Sequence, residues 1–281
     1  MEEWNMKLLA FDLDGTTLTG HQHLSTRNRK ALERAGQMGI LLVPASGRMR
    51  TFLPEEITSL PGVRWAITSN GAGVYDLKSG ECIWDCLIPN AKALEVQQLL
   101  KSYDVYVEYY REGRAITLQG APEKAKTYFG FPKTKWHFLT KDFVYTEDFE
   151  VLLRETGLCP EKINLPYLPT PELREELWNK LLALGGLRLT SSIPDNLEIN
   201  ASGAHKGAGL KALCRHLKIS TSQVMAIGDN GNDVTMLQCA GVSVAVADAL
   251  PEALAAAKYR TSAHDEDGLA EAVERFLIQQ E

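Results

Sequence analysis

The chain has few cysteines, and their spacing fits neither a disulfide framework nor a zinc site. Its 281 residues include five cysteines, which is an odd number. Cys82 and Cys86 are separated by three residues, but no second pair of cysteines or histidines follows to complete a tetrahedral metal site. We therefore expect free thiols in a reducing cytoplasm.

The chain also lacks the marks of a nucleic-acid-binding, membrane or secreted protein. Its net charge is −6, and it contains no block of lysine and arginine. No apolar run approaches the ~18–20 residues that span a bilayer. The first residues, MEEWNMKLLAFDLD, carry two glutamates where a secretory signal carries basic residues. We expect neither nucleic acid nor membrane as a partner.

Apolar runs and helical patterns alternate at both ends of the chain. Residues 6–12 form an apolar run that ends in an acidic turn, and Ser25 is a candidate N-cap for the helical pattern that follows. The runs at 39–48, 65–75 and 223–233 are predicted strands. This alternation predicts a doubly wound α/β fold with a parallel sheet, in which ligands bind at the carboxyl ends of the strands.

The middle of the chain, roughly 87–190, has a different pattern. A helical stretch at 91–103 is followed by two predicted strands that form a hairpin around Glu112 and Gly113. A second helix and further strands come next, so we interpret this part as an α+β insertion. The core is therefore predicted to be discontinuous, with segments 1–86 and 191–281.

An acidic pair follows the first predicted strand. Asp12 and Asp14 stand two positions apart, and Gly15 permits the sharp turn after them. Two carboxylates this close repel each other and need a cation or a shared proton. In the crevice of a parallel sheet the natural cation is Mg²⁺, which binds oxygen ligands. The alternative is a plain strand-end turn, since Asp-Gly is a common turn dipeptide.

Three further clusters fall at predicted strand ends or helix starts. A hydroxyl and a backbone N–H at Ser46 and Gly47 are suited to hold a phosphate oxygen, although Ser-Gly is also an ordinary turn. Lys206 is suited to neutralise a phosphate, although a lone lysine before a helix is more commonly a solvated surface residue. The loop 228–233 carries two acids and two amides, so it is either a second group of metal ligands or an ordinary turn-rich loop.

In this order the clusters resemble the four motifs of the haloacid dehalogenase (HAD) superfamily. The motifs correspond to Asp12–Thr16, Ser46, Lys206 and Asp229–Asp233. More narrowly, FDLDGTTL, PASGR, SNGA, HKGAGL and IGDNGND resemble the Cof-like subfamily, which carries a large α/β cap of class IIB between its second and third motifs. The resemblance covers both core segments and implies a Rossmann-like HAD core with an inserted cap at 87–190 that selects the substrate.

The resemblance also implies roles for the acidic residues. Asp12 would attack phosphorus and bind Mg²⁺, and Asp14 would protonate the leaving oxygen, activate water and bind the metal through its backbone carbonyl. Asp229 would be a further metal ligand, and Asp233 would orient metal-bound water and Lys206 from outside the metal's own ligands. Covalent capture of the phosphoryl group divides one difficult step into two easier ones.

The resemblance implies a second group of residues that hold or surround the phosphate. These residues are Leu13, Thr16, Ser46, Gly47, Lys206 and Asn232. Thr16 would support the loop, and Leu13 would contribute its backbone N–H. The chain departs from similar sequences at Ala247-Asp248-Ala249, where Gly-Asn-Ala is common, which weakens any role carried over to Asp248.

Together these features predict a cytoplasmic, Mg²⁺-dependent phosphatase. Its expected substrate is a small phosphorylated metabolite, with sugar phosphates first and nucleotides, pyridoxal phosphate or flavin mononucleotide as further candidates. A phosphomutase-type phosphotransferase, a relative of the sucrose-phosphate or mannosylglycerate-phosphate phosphatases, and a non-catalytic regulator that binds phosphometabolites remain as alternatives. We expect a monomer or a small homo-oligomer.

Overall fold

The chain folds into two compact units. The computed structural model describes residues 5–20, 22–139, 142–193 and 195–278. The first unit runs to Asp85 and resumes at His205, and the second comprises Cys86–Ala204. In the part of the chain that the structure describes, no helix combines the length and the apolar character that crossing a membrane requires.

The strands are numbered here in chain order. They are β1 (Leu8–Phe11), β2 (Leu18–Thr19), β3 (His23–Leu24), β4 (Leu41–Pro44), β5 (Trp65–Thr68), β6 (Gly73–Asp76), β7 (Cys82–Asp85), β8 (Glu108–Arg111), β9 (Arg114–Leu118), β10 (Phe143–Thr146), β11 (Lys162–Leu165), β12 (Leu187–Thr190), β13 (Leu197–Ala201), β14 (Val224–Gly228), β15 (Val242–Ala245) and β16 (Tyr259–Arg260).

The α-helices are numbered in the same way. They are α1 (Thr26–Gln37), α2 (Glu55–Thr58), α3 (Asn90–Leu100), α4 (Ala121–Thr127), α5 (Phe149–Thr156), α6 (Pro171–Ala183), α7 (Lys206–Leu217), α8 (Val234–Cys239), α9 (Pro251–Ala256) and α10 (Gly268–Val273).

The first unit is built around a five-stranded parallel sheet with the order β16-β15-β14-β1-β4. Every residue of β1 and β14 is buried, which explains why both strands are continuous apolar runs without alternation. Phe11 at the end of β1 lies opposite Pro44 on one side and Ile227 on the other. The predicted parallel α/β fold is confirmed, and the register brings three strand ends together.

Helix α1 shows how local sequence positions an element of this unit. The backbone N–H of Asn28 donates to the hydroxyl oxygen of Ser25 at 3.0 Å, which satisfies one of the free N–H groups in the first turn. The N-cap predicted at Ser25 is confirmed. The same hydroxyl donates to Asp267 at 2.5 Å, and this bond joins the start of α1 to the segment before α10.

The prediction of one strand at 65–75 was wrong. The segment forms β5, a tight turn and β6, which pair antiparallel with Trp65 opposite Asp76. Together with β7 these strands make a separate three-stranded sheet. The Asn-Gly dipeptide at 70–71 lies between two apolar runs, which is the sequence signal of a hairpin and the feature that the single-strand interpretation overlooked.

The second unit contains a six-stranded sheet with the order β10-β9-β8-β11-β13-β12. The hairpin predicted around residues 112–113 is confirmed, since β8 and β9 pair with Arg111 opposite Arg114. We predicted that the core resumes at residue 191, but β13 pairs with β11 and β12 in this sheet. The buried side chains of Leu197 and Ile199 complete the apolar face of the sheet, so the second unit extends to Ala204.

Candidate active site

Three loops meet at the carboxyl edge of the parallel sheet. Asp12 directly follows β1, Ser46 is the second residue after β4, and Asp229 directly follows β14. Backbone bonds hold the loops in register, because Asp12 N donates to Ile227 O at 3.1 Å and Ala45 N donates to Phe11 O at 2.8 Å. The central position of β1 therefore places Asp12 between the other two loops.

Lys206 is the first residue of α7, and its side chain is fully buried. Its ammonium group donates to Asp12 Oδ1 at 2.5 Å and to Asp233 Oδ1 at 2.6 Å. Burial by itself lowers the pKa of Lys206, but the two carboxylates outweigh burial and raise it above the usual value. The lysine is thus a fixed positive charge between two acids, and the interpretation as a solvated surface residue is wrong.

The start of α7 is shaped by its neighbours in sequence. The Nδ1 atom of His205 accepts a hydrogen bond from Ala208 N at 3.0 Å and caps the helix. Gly207 lies against Thr235, where an added Cβ would come within 2.4 Å of the Thr235 carbonyl oxygen. A side chain at position 207 would push α7 away from α8 and would displace Lys206 from its two carboxylates.

Asp233 organises the loop that follows β14. Its Oδ2 atom accepts hydrogen bonds from the backbone N–H groups of Asp229 and Asn230, each at 3.0 Å, while Oδ1 accepts from Lys206. Both carboxylate oxygens are therefore used to position the loop and the lysine. These contacts fit the supporting role that the sequence resemblance implies for Asp233.

Carboxylate oxygens of Asp12, Asp229 and Asp233 lie within 4.8 Å of one another. Burial is the largest cause that raises the pKa of Asp12, and it also raises the pKa of Asp229 to about 6, with Asp233 adding to the shift. The group holds more negative charge than Lys206 offsets. Oxygen ligands with a surplus of negative charge fit a hard divalent cation such as Mg²⁺.

Residues of the loop after β1 support Asp229. Thr16 donates from Oγ1 to Asp229 Oδ1 at 2.6 Å. Gly15 has a φ of +82°, and an added Cβ would lie 2.7 Å from Asp229 Oδ2. The glycine is thus required both by its backbone conformation and by the close approach of the carboxylate. The structure places Thr16 beside an acidic side chain, as part of the support for the carboxylates.

Asp14 has a different partner from the other three acids. Arg48 donates from Nε to Asp14 Oδ2 at 2.9 Å and from Nη2 to Asp14 Oδ1 at 2.6 Å, a bidentate pair. The Asp14 side chain is not among the carboxylates that the structure gathers as candidate metal ligands. No role was predicted for Arg48 from the sequence, although its place two residues after Ser46 offered a signal.

The remaining candidate phosphate-binding residues lie in the same loops. Ser46 is fully buried, and its Oγ accepts from Arg48 N at 3.1 Å, which leaves the hydroxyl hydrogen free to donate. Leu13 follows Asp12, and Gly47 follows Ser46. Asn232 donates from Nδ2 to Asn70 Oδ1 at 3.2 Å, and Asn70 is a second residue for which no role was predicted from the sequence.

The arrangement is suited to chemistry on a phosphoryl group. It holds a carboxylate against a buried ammonium group, further carboxylates able to bind a cation, and hydroxyl and amide donors in adjoining loops. Catalysis of phosphoryl transfer consists mainly of positioning and of charge neutralisation, and these side chains supply both.

Comparisons with known proteins agree with this interpretation. The sequence profile of the haloacid dehalogenase-like hydrolases matches residues 9–273. A 5-amino-6-(5-phospho-D-ribitylamino)uracil phosphatase of Bacillus subtilis (strain 168), YcsE, is 28% identical, over 99% of this chain and 98% of its own. YbjI of Escherichia coli (strain K12), a phosphatase of the same name, is 28% identical over 97% of each chain.

A solved structure extends the likeness to the fold. The sugar phosphatase BT4131 of HAD subclass IIB superposes with a TM-score of 0.81 at 26% sequence identity. The match covers 97% of this chain and 100% of that one. Both units of the present chain therefore have counterparts in a phosphatase of this subclass.

Proposed function

The chain belongs to the haloacid dehalogenase-like hydrolase family, in its Cof-like branch, and acts on phosphoric monoesters, and we propose that it uses Mg²⁺ and an aspartyl-phosphate at Asp12. The observation that carries the proposal is the contact of Asp12 with the buried Lys206 beside two further carboxylates. A carboxylate nucleophile can approach a phosphate dianion only where positive charge offsets the repulsion.

In the first step, Asp12 Oδ attacks phosphorus, the new P–O bond forms, and the bond from phosphorus to the ester oxygen breaks. Asp14 gives its proton to that oxygen, so the product leaves as a neutral alcohol. Lys206 neutralises charge on the phosphoryl group, and Ser46, Gly47, Asn232 and the N–H of Leu13 hold its oxygens.

In the second step, Asp14 takes a proton from water, the water oxygen bonds to phosphorus, and the bond from Asp12 to phosphorus breaks. Inorganic phosphate leaves, and both aspartates return to their starting states. Arg48 fixes the orientation of the Asp14 carboxylate through two hydrogen bonds. The pairing favours the ionised carboxylate, which is the form that accepts a proton from water, and each oxygen keeps a second lone pair for that proton.

The residues that would hold Mg²⁺ are Asp12, Asp229 and the backbone carbonyl of Asp14, with Asp233 as a supporting residue. When bound, the ion supplies positive charge to the phosphoryl oxygens and to the attacking carboxylate. Thr16 orients the Asp229 carboxylate toward this task through its 2.6 Å hydrogen bond.

Small sugar phosphates are the first substrate class that we propose. The likeness to a sugar phosphatase of subclass IIB supports it. A phosphorylated ribitylaminopyrimidine is the second candidate, supported by the names of two relatives. Both candidates carry phosphate on a hydroxylated carbon chain. We propose that side chains of the second unit, the counterpart of the predicted cap, recognise the hydroxylated carbon chain of the substrate.

The test is phosphate release from a panel of phosphorylated metabolites, with and without Mg²⁺, for native protein and for Asp12→Asn. We expect Mg²⁺-dependent release that is highest for sugar phosphates or for the ribityl compound and is absent in the variant. Trapping with acid should find a phosphorylated protein in Asp14→Asn and none in Asp12→Asn. Release by Asp12→Asn at the native rate would show that another residue is the nucleophile.

A further inference from the structure

Ser69, Asn70 and Gly71 form a turn in which three consecutive residues have left-handed backbone conformations, with φ of 51°, 59° and 90°. Two of the three are not glycine. Side-chain-bearing residues rarely adopt this conformation, and it persists only where surrounding contacts enforce it. We call this segment the 69–71 turn, and its contacts show what enforces it.

Two backbone hydrogen bonds join the 69–71 turn to the loop after β4. Ser69 N donates to Arg48 O at 2.9 Å, and Asn70 N donates to Ser46 O at 3.1 Å. These bonds hold the turn against both ends of the Ser46–Arg48 segment. The turn therefore fixes a loop that carries one predicted phosphate-binding residue and the partner of Asp14.

The third residue of the turn touches the start of α7. A Cβ added to Gly71 would lie 2.2 Å from His205 O and 2.7 Å from Lys206 N. Only glycine fits here, both for its conformation and for this approach. The turn thus lies directly against the backbone that carries Lys206.

The side chain of Asn70 contacts Asn232, which lies 162 residues later in the sequence. Its Oδ1 accepts from Asn232 Nδ2 at 3.2 Å, and both side chains are more than nine-tenths buried. The Oδ1 atom of Asn232 is buried without a hydrogen-bond partner among the described residues. The amide of Asn232 is therefore held through its NH₂ group alone.

This contact decides which end of the Asn232 amide can meet a phosphate. The NH₂ group has a second hydrogen to donate, whereas the carbonyl oxygen would repel phosphate oxygens. A flip of the amide by 180° would set two carbonyl oxygens against each other, because Asn70 presents an acceptor. Asn70 thus disfavours the unproductive orientation.

We propose that Asn70 is a positioning residue that orients the Asn232 amide as a donor to the phosphoryl group. The inference rests on the proposed function, in which Asn232 binds phosphate. It adds a residue from outside the four catalytic motifs, one whose left-handed conformation is itself enforced by those motifs.

The substitution Asn70→Gly tests the proposal with little backbone strain, because glycine accepts φ near 59° and keeps the N–H that bonds to Ser46. Hydrolysis of p-nitrophenyl phosphate with Mg²⁺ measures kcat/KM, and inorganic phosphate serves as a competitive inhibitor. We expect about a tenfold loss of kcat/KM and a similar weakening of inhibition, in line with one hydrogen bond to a charged group. Lys218→Gly is the control, since Lys218 is exposed with φ of 56°, and its kinetics should match native protein.

A double-mutant cycle separates orientation of Asn232 from a general structural effect. In the Asn232→Ala background, Asn70→Gly should cause no further loss. A further tenfold loss in that background would overturn the proposal, as would native kinetics for Asn70→Gly alone.

Failure of the proposed function gives a different result. If native protein releases phosphate from no ester, the rise in Tm with inorganic phosphate and Mg²⁺ still tests Asn70. Loss of that rise in Asn70→Gly, with retention in Lys218→Gly, supports the positioning role. An unchanged rise in Asn70→Gly overturns it.

Discussion

Lys206 in the first unit and Lys162 in the second are both buried, yet their surroundings differ in charge. Lys206 lies between Asp12 and Asp233, with Asp229 close by, so the carboxylates outnumber it. Lys162 pairs with Glu198 at 2.7 Å and lies 4.6 Å from the centre of the Tyr110 ring.

A second buried acid of this unit, Glu108, is satisfied by uncharged groups. Glu108 accepts hydrogen bonds from the hydroxyls of Tyr106 and Tyr110 and from the amide of Asn164, at 2.9–3.1 Å. Burial, together with Glu108, raises the pKa of Tyr110 well above its usual value, so this tyrosine stays a neutral donor. In the first unit, by contrast, burial raises the pKa of Asp12 and Asp229 themselves.

The contrast shows how a structural polar cluster differs from a site built for a ligand. In the second unit, neighbouring donors compensate the buried acids within the protein. In the first unit, one lysine serves a group of three carboxylates, and a surplus of negative charge remains. That surplus has a cost to folding, which the Mg²⁺ that we propose would offset.

Replacement of the nucleophile should reduce activity more than any other change. Asp12→Asn should lower phosphate release by at least about a thousandfold, because the amide cannot form the aspartyl-phosphate. Unfolding by urea should show stability equal to or above that of native protein, since the substitution removes a charge that burial disfavours. The comparison would fail if Asp12→Asn proved strongly destabilised, because the carboxylate would then be a structural group like those of the second unit.

Substitution of either lysine should lower stability, but only substitution of Lys206 should also lower activity. Lys206→Met and Lys162→Met each leave a buried carboxylate without its cation, and each should lose about 3–5 kcal/mol of unfolding free energy. Activity per folded molecule with p-nitrophenyl phosphate should fall about a thousandfold for Lys206→Met and stay near native for Lys162→Met.

A double substitution sharpens this prediction. Lys162→Met with Glu198→Met replaces the ion pair by apolar side chains and should recover most of the lost stability. An equal loss of activity in Lys162→Met would show that the pair of Lys162 and Glu198 contributes to catalysis. The distinction between the two units would then be wrong.

The pH dependence of stability should show the surplus charge directly. The pKa of Asp229 is about 6 in the folded protein, above the usual 3.8. The folded state therefore binds this proton more tightly than the unfolded state does. Protonation of Asp229 stabilises the fold fully below about pH 4, and this stabilisation is lost as the pH rises through about 6. In protein treated with EDTA, the loss from this group should reach ~3 kcal/mol at most.

Urea unfolding of native protein and of Asp229→Asn, compared at each pH, isolates that contribution from other acids. Added Mg²⁺ should stabilise native protein more at pH 7 than at pH 5, because the cation binds the ionised group. Parallel pH curves for the two proteins would contradict the prediction.

Loss of a hydroxyl beside the carboxylates should have a milder consequence. Thr16→Val removes the donor to Asp229 and should raise the Mg²⁺ concentration required for half-maximal activity about tenfold, as loss of a ligand's supporting bond commonly does. Thr117→Val is the matched control in the second unit, where the hydroxyl donates to Val107 O at 2.9 Å. It should cost ~1 kcal/mol of stability and leave the Mg²⁺ requirement unchanged.

Much of the fold could be predicted because its signals are local. The buried runs at β1 and β14, the N-cap at Ser25 and the hairpin at 112–113 each depend on neighbouring residues, and all were confirmed. The two errors concern pairing between segments. The apolar run at 65–75 hid a hairpin, and β13 returned to the sheet of the second unit.

The candidate site likewise has features that the sequence predicted and contacts that it did not. The order of acidic pair, Ser-Gly, lysine and acidic loop indicated its chemistry, because those residue types at strand ends suit a metal and a phosphate. The position of Arg48 two residues after Ser46 was a signal, but the sequence indicated neither its pairing with Asp14 nor the contact of Asn70 with Asn232. An arginine or an asparagine can pair with many residue types, so its partner cannot be predicted from its identity. Arg48 and Asp14 are 34 residues apart in the sequence, and Asn70 and Asn232 are 162 residues apart.

The parallel α/β architecture, the family and the residue types at each strand end could be predicted from the sequence, since they follow from apolar patterning and short motifs. The tertiary structure alone decided which charges would be compensated. Register across the parallel sheet brings Asp12, Asp229 and Asp233 within 4.8 Å around a single buried lysine. The physical reason is that burial and Coulomb interactions depend on distances through space, which separation along the chain does not fix.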